Sequence, residues 1–269
     1  MIHMMILAEL RKVVSRPGAW LAAVLSCLLP LAVWGILLAV QPDAADPSFQ
    51  ADLNGQLVAQ MIPNEVKPVL AVTLEIRNLI VLPMILLMIT AQLFAGEWDA
   101  RTLRSLLWRP IPRWSVLISK FLALMLFSGV LLLLTYLLAL LPSLASFESN
   151  EPIKGVSLAF LASWGRDGLV ITLGMVASTI APSVVGVVVG TLIFLVSEML
   201  LRWGFQGAEA AGLIDWGNSV AMWMPGAAWD SWQGYRADDW DPQSLAAMGG
   251  LFVVCIGVAL WRFQRMDVP

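Results

Sequence analysis

Histidine is almost missing from this chain: His3 is the only one among 269 residues. A lone imidazole at that position argues against any membrane enzyme that relies on a catalytic histidine. Cysteine is nearly as scarce. Cys27 and Cys255 each sit inside an apolar run, too few for a disulfide scaffold and too scattered for a zinc site. Neither a nucleophile elbow nor a pair of acids at active-site spacing on a helix is found, and the phosphate-binding pattern Gly-x-x-x-x-Gly-Lys-[Ser/Thr] does not occur. Charge is also low. Asp, Glu, Lys and Arg make up 13% of the chain and the net charge is −3, so no basic field is present to gather nucleic acid.

Apolar residues fill the gap. They form 59% of the chain, and the mean hydropathy is +0.80. Soluble domains carry roughly 45–50% apolar and about 25% charged residues. The departure is in the direction that a bilayer demands, and one membrane domain accounts for the whole length. A span needs about 20 mostly apolar residues to cross about 30 Å of hydrocarbon. Six stretches qualify: 19–40, 69–95, 114–141, 158–180, 183–201 and 244–261. The first is not a cleaved signal, because its apolar run is too long and an acid-containing helix precedes it. The expected fold is therefore all-α and polytopic, with six transmembrane helices.

The positive charges orient the bundle. With the N-terminus inside, ten basic residues flank the spans on the cytoplasmic side: Arg11, Lys12, Arg16, Arg101, Arg104, Arg109, Arg113, Lys120, Arg262 and Arg265. Only Lys67, Lys154 and Arg236 fall on outer segments. Both termini are expected in the cytoplasm, which agrees with an even number of spans.

Residues 4–17 read as an amphipathic interfacial helix. Ile6, Leu7, Leu10, Val13 and Val14 fall on one face, and Glu9, Arg11, Lys12 and Arg16 fall largely on the other. Pro17-Gly18 then turns the chain into the first span. The outer segment 202–243 holds Trp203, Trp216, Trp223, Trp229, Trp232 and Trp240, residues that prefer the headgroup region, so it is expected to be partly re-entrant. The thirteen methionines are scattered and read as apolar filling rather than a copper site.

The most informative stretch lies between the second and third spans. Gly96-Glu97-Trp98-Asp99-Ala100-Arg101-Thr102-Leu103-Arg104-Ser105-Leu106-Leu107-Trp108-Arg109-Pro110-Ile111-Pro112-Arg113 is followed by Lys120. It makes a charged amphipathic helix, a proline-punctuated turn and an arginine at the next helix start, where a short linker would have sufficed. This pattern resembles the ABC-2 type transporter permeases. There, Gly-Glu closes the second span, Thr-Leu follows after four residues, and a leucine pair, a basic residue, Pro and Arg lead to a Lys in the next span. Glu97, Thr102, Leu103, Leu106, Leu107, Arg109, Pro110, Ile111, Arg113 and Lys120 match in type and spacing, while Arg101 stands where the family usually has glycine.

The resemblance implies a permease subunit of an exporter in the plasma (bacterial inner) membrane. It implies a coupling segment at 97–113 on which a separate ATP-binding-cassette subunit docks, with Glu97, Arg101, Thr102, Arg104, Arg109, Pro110 and Arg113 as its coupling residues. ATP and Mg would be held by that partner, and no cofactor is expected in this chain. The four arginines offer charges that a soluble partner's carboxylates can pair with; binding anionic lipid is the alternative use. A second permease copy, identical or related, would complete the pathway. Gly186 and Gly190 form a small-xxx-small pattern suited to that contact.

Six further charges lie within or at the ends of spans: Glu75, Arg77, Arg166, Asp167, Glu198 and Arg202. A charge at the bilayer centre costs roughly 2.5–3.5 kcal/mol on the insertion scale. Threading sets all six in the outer half, as snorkelling pairs or as a polar rim of the pathway, with Glu198 and Arg202 paired at i,i+4. Pro83 marks a candidate kink and hinge in the second span. The competing function is an ATPase-independent secondary transporter or channel, a class that usually places charges near the midplane and often carries internal repeats, of which none is evident.

Overall fold

The computed structural model describes residues 2–44, 66–79, 81–99, 112–146, 153–181, 183–226 and 242–265. Among these residues every regular element is a helix. In chain order they are α1 (Ile2–Val14), α2 (Pro17–Ala44), α3 (Val66–Leu79), α4 (Val81–Asp99), α5 (Arg113–Ser146), α6 (Lys154–Ser178), α7 (Val184–Ala210), α8 (Gly217–Trp223) and α9 (Pro242–Arg265). Five helices (α2, α5, α6, α7 and α9) are long and apolar enough to cross a membrane. The count is six when α3 and α4 form one bent span. The chain is a polytopic α-helical membrane protein.

The second span departs from the continuous 69–95 helix that hydropathy predicts. Its halves, Val66–Leu79 and Leu82–Glu97, meet at 42°. Pro83 supplies the physical reason. It has no N–H to bond the carbonyl of Leu79 four residues earlier, and its ring crowds that carbonyl. α2, α5 and α9 run past both ends of the predicted spans and α7 past its C-terminal end, because backbone bonding continues where apolar composition stops, while α6 starts earlier than 158 but stops at Ser178, short of 180. α5, with 34 residues, is about 51 Å long at 1.5 Å per residue, well beyond the hydrocarbon thickness.

α6 is the central element. It is buried over most of its length, whereas α2, α7 and α9 expose most of their surface. It packs against α4, α9, α5 and α7, while α5 also carries α1, α2 and α3. Two apolar cores stack along the bundle. One, at the α1 end, joins Val13, Ala22, Leu86, Leu93, Leu117, Leu124, Val170, Met175 and Phe263. The other joins Val33, Leu70, Leu74, Leu132, Val156 and Phe160 at the opposite end. In lipid such cores gain from close packing rather than from escape from water.

Polar side chains inside the helices mostly look after themselves. Thr90 donates to the Leu86 carbonyl, Thr135 to Leu131, Ser143 to Ala139 and Ser178 to Gly174, each one turn back on its own helix. α7 is capped by Ser183, whose hydroxyl accepts from the Gly186 amide at 3.1 Å. At its other end, Gly212 turns the chain with φ of +70°, a conformation that favours glycine. α8 then folds back along α7.

Candidate functional site

α1 presents three environments, not two. Ile6, Glu9, Leu10 and Val13 form its i, i+3, i+4, i+7 stripe towards the bundle, with Glu9 and Val13 buried. Met4, Leu7 and Val14 form an exposed apolar stripe suited to lipid. Glu9 thus lies on the inward side, although a two-faced reading groups it with the polar residues and Leu7 and Val14 with the apolar ones. It can be buried there because lysines meet it.

Four side chains close a ring. Lys12 Nζ donates to Glu9 Oε1 at 2.9 Å and to Glu97 Oε1 at 2.8 Å. Lys120 Nζ donates to Glu9 Oε2 at 3.1 Å and to Glu97 Oε2 at 2.7 Å. Each carboxylate therefore gives one oxygen to each lysine, and signs alternate around a ring of zero net charge. The third proton of Lys120 goes to the Leu93 carbonyl at 3.1 Å, so all three ammonium donors are used. The Phe94 ring lies 5.6 Å from the same nitrogen. Lys120 is buried, while Lys12 is partly open. For Lys12, burial works against the charge, but the bonds to Glu97 and Glu9 outweigh it and raise its pKa above the ordinary lysine value.

The ring ties α1, the end of α4 and the start of α5 together. Other arginines lace the same end of the bundle. Arg16 donates to Gln92 Oε1 at 3.3 Å, Arg113 to the Gln264 carbonyl at 3.2 Å, and Arg262 to the Thr179 carbonyl at 3.5 Å. Of the expected coupling residues, Glu97 and Arg113 are therefore placed at the two ends of the segment. Arg101, Thr102, Arg104, Arg109 and Pro110 lie outside the described residues. Sequence reasoning noted Lys120 only as part of the motif and missed Glu9 and Lys12 as its partners. The available signal was an acid on the inward stripe of an otherwise apolar helix face.

A second polar cluster clamps α3 to α6. Arg77 reaches Asp167 with both terminal nitrogens, Nη2 to Oδ2 and Nη1 to Oδ1, a bidentate pair with both groups buried. Arg77 Nη1 also donates to Asn78 Oδ1 at 2.7 Å, and Asn78 Nδ2 donates to Ser163 Oγ at 2.7 Å. Asp167 stands thirteen residues from the first residue of α6 and eleven from its last, so this pair sits near mid-helix rather than snorkelling to an interface. A cavity of about 80 Å³ adjoins Arg77, lined also by Leu25, Ser26, Leu29, Leu82 and Thr135. Glu75 is exposed and Arg166 is buried beside Asp167. The ion pair runs between helices, and neighbours in sequence do not predict it.

The remaining pair is built into the folded-back segment. Glu198 Oε1 accepts from the Gly226 amide at 2.9 Å and lies 3.9 Å from Arg202 Nε. Glu209 binds the backbone and side-chain amides of Asn218. Gly226 thereby docks twelve residues before the end of α7. The stretch 202–210 continues α7, and 217–226 is the part that turns back. Gly186 and Gly190 are not equivalent. A Cβ on Gly186 would meet Ser183 Oγ at 2.8 Å, whereas one on Gly190 would meet nothing within 4 Å.

The described residues form a multi-pass helical bundle whose α1 end is locked by charge. The chain belongs to the ABC-2 family: the model described as ABC-2 family transporter protein matches residues 5–200, which include the ring, the Arg77–Asp167 pair and Glu198. It is thus a transport subunit rather than an enzyme. No curated protein matches the chain.

Proposed function

We propose that the chain is the membrane half of an ABC exporter, coupled to a separate ATP-binding subunit that docks on the 97–113 segment. The observation that carries this reading is the ring. Glu97 and Lys120 bracket the segment and bond to each other and to α1, so a push on it is delivered to α1, α4 and α5 together. A flexible linker would dissipate the same push. Arg101, Thr102, Arg104, Arg109, Pro110 and Arg113 form the docking face, and the partner holds ATP and Mg.

The α1 end is cytoplasmic in this reading, as the distribution of Lys and Arg requires, and the membrane is the bacterial inner membrane. Cargo leaves through a pathway shared with a second copy or a relative, approached along the open Gly190 side of α7. Glu198 and Arg202 contribute to its outer rim, while Glu75 and Arg166 stand beside the Arg77–Asp167 clamp.

The test is purification of tagged full-length chain from native membranes in mild detergent, with mass spectrometry of what accompanies it. An ATP-binding-cassette subunit should co-purify and should be lost from an Arg104→Glu/Arg109→Glu variant that still inserts. If no such subunit accompanies the unaltered chain, the proposal fails and an ATPase-independent transporter takes its place.

A further inference from the structure

Between α5 and α6 a groove of about 420 Å³ opens on the membrane-facing side of the bundle. Its volume falls within the roughly 300–1,000 Å³ typical of small-molecule sites. Its walls are two matching i, i+3, i+4, i+7 stripes: Gly129, Leu132, Leu133 and Tyr136 on α5, and Ser157, Phe160, Leu161 and Trp164 on α6. Each wall runs from position i to i+7, about 10 Å along the helix axis, or about a third of the hydrocarbon thickness. The long direction of the groove is therefore the direction in which acyl chains lie.

The two ends of the groove differ. At the deep end Trp164 crosses to donate its indole N–H to the Met125 carbonyl at 3.0 Å. It lies over Gly129, where a Cβ would come within 3.2 Å of the indole nitrogen, and this closes the floor. At the end away from α1, Tyr136 donates its hydroxyl proton to Ser157 Oγ at 2.9 Å, and Ser157 in turn donates to the Ile153 carbonyl at 2.9 Å. One turn beyond Ser157 on the same side of α6 stands Lys154, exposed, at a helix start whose N-cap residue Ile153 makes no side-chain cap. The Lys154 cation at this point complements an anionic headgroup, and the apolar walls below complement its tail.

We propose that this groove is a binding site for one phospholipid of the leaflet opposite α1. An acyl chain lies between α5 and α6 down to Trp164, and the phosphate lies at Lys154. The site is independent of ATPase docking: it uses no residue of the ring or of the 97–113 segment.

Native mass spectrometry of the full-length protein, purified from its membranes and washed in detergent, tests the site. Leu161→Trp fills the groove, Lys154→Ala removes the cation, and Leu158→Trp adds the same bulk to α6 outside the groove. The unaltered protein and Leu158→Trp should each retain one phospholipid per chain. Leu161→Trp should lose it, and Lys154→Ala should retain several-fold less, with melting temperatures unchanged across the set. Equal retention by Leu161→Trp and Leu158→Trp, or no retained lipid in the unaltered protein, overturns the proposal. If the unaltered protein is a lipid-free dimer that Leu161→Trp dissociates, the groove is an interface between copies instead.

Discussion

Lys120 Nζ lies 2.7 Å from Glu97 Oε2, and these two residues, 23 positions apart, close the stem of the segment that carries the family motif. Replacing Lys120 with methionine keeps its bulk but leaves two buried carboxylates sharing Lys12 alone. Breaking a buried pair in this way costs about 3–5 kcal/mol. A Lys120→Met variant should unfold at clearly lower temperature or detergent denaturant concentration. Adding Glu97→Gln should recover part of the loss, and a double-mutant cycle across the two positions should read a large coupling.

The ring also sets a pH dependence. Lys12 is raised above the ordinary lysine value of 10.5 by Glu97 and Glu9 against the opposing pull of burial. A group raised on folding stabilises fully below its unfolded pKa and loses that contribution as pH rises through its folded value. The stability gap between the unaltered protein and Lys12→Met should therefore be constant from pH 7 to about the ordinary lysine value and close above it. A gap that closes below pH 9 would contradict the pairing. Stability against pH in detergent measures it.

Arg77 and Asp167 neutralise each other's charge in a buried pair, so the single and double replacements should differ in kind. Asp167→Asn leaves a buried guanidinium without its counter-charge and should cost about 3–5 kcal/mol, whereas Arg77→Met/Asp167→Leu should fold nearly as well as the original. Stability assays on the three proteins decide this. A double variant that folds but no longer supports ATP hydrolysis by the proposed complex would assign the pair to the pathway as well as to the clamp.

A methyl group at Gly226 would lie 2.5 Å and 2.7 Å from the two Glu198 oxygens. Gly226→Ala should therefore release the folded-back segment from α7 while leaving the core intact. Proteolysis from the side opposite α1 should cut near 217–226 at least several-fold faster, with little change in melting temperature. Unchanged cleavage would show that Glu198 does not hold this segment.

Much of this architecture is legible in the sequence, and the reasons differ by element. Long apolar runs fix α2, α5, α6, α7 and α9 because hydrocarbon leaves the backbone few alternatives to a helix. Pro83 announces the break in the second span, since the missing N–H acts on a carbonyl only four residues away. The ring is harder to read, because Glu9, Glu97 and Lys120 are far apart in the chain and only the packing of three helices brings them together. The pairing of Arg77 with Asp167 is hidden for the same reason, as each has a tempting partner next to it in sequence. The α5–α6 groove leaves no mark in hydropathy: its walls read as two ordinary apolar faces, and the opening comes from how those faces meet at Gly129.

The contrast between self-satisfied hydroxyls and the Arg77–Asp167 clamp bears on how the chain is made. Helices whose threonines and serines bond to their own carbonyls can enter the bilayer one at a time, in the order of synthesis. α3 cannot settle in the same way, because its guanidinium finds its carboxylate 90 residues later, on α6. At roughly 5–20 residues per second, that is a wait of about 5–20 seconds. During that interval the Arg77 guanidinium has no Asp167 to meet, and the contact that clamps α3 in the bundle forms only once α6 has been made.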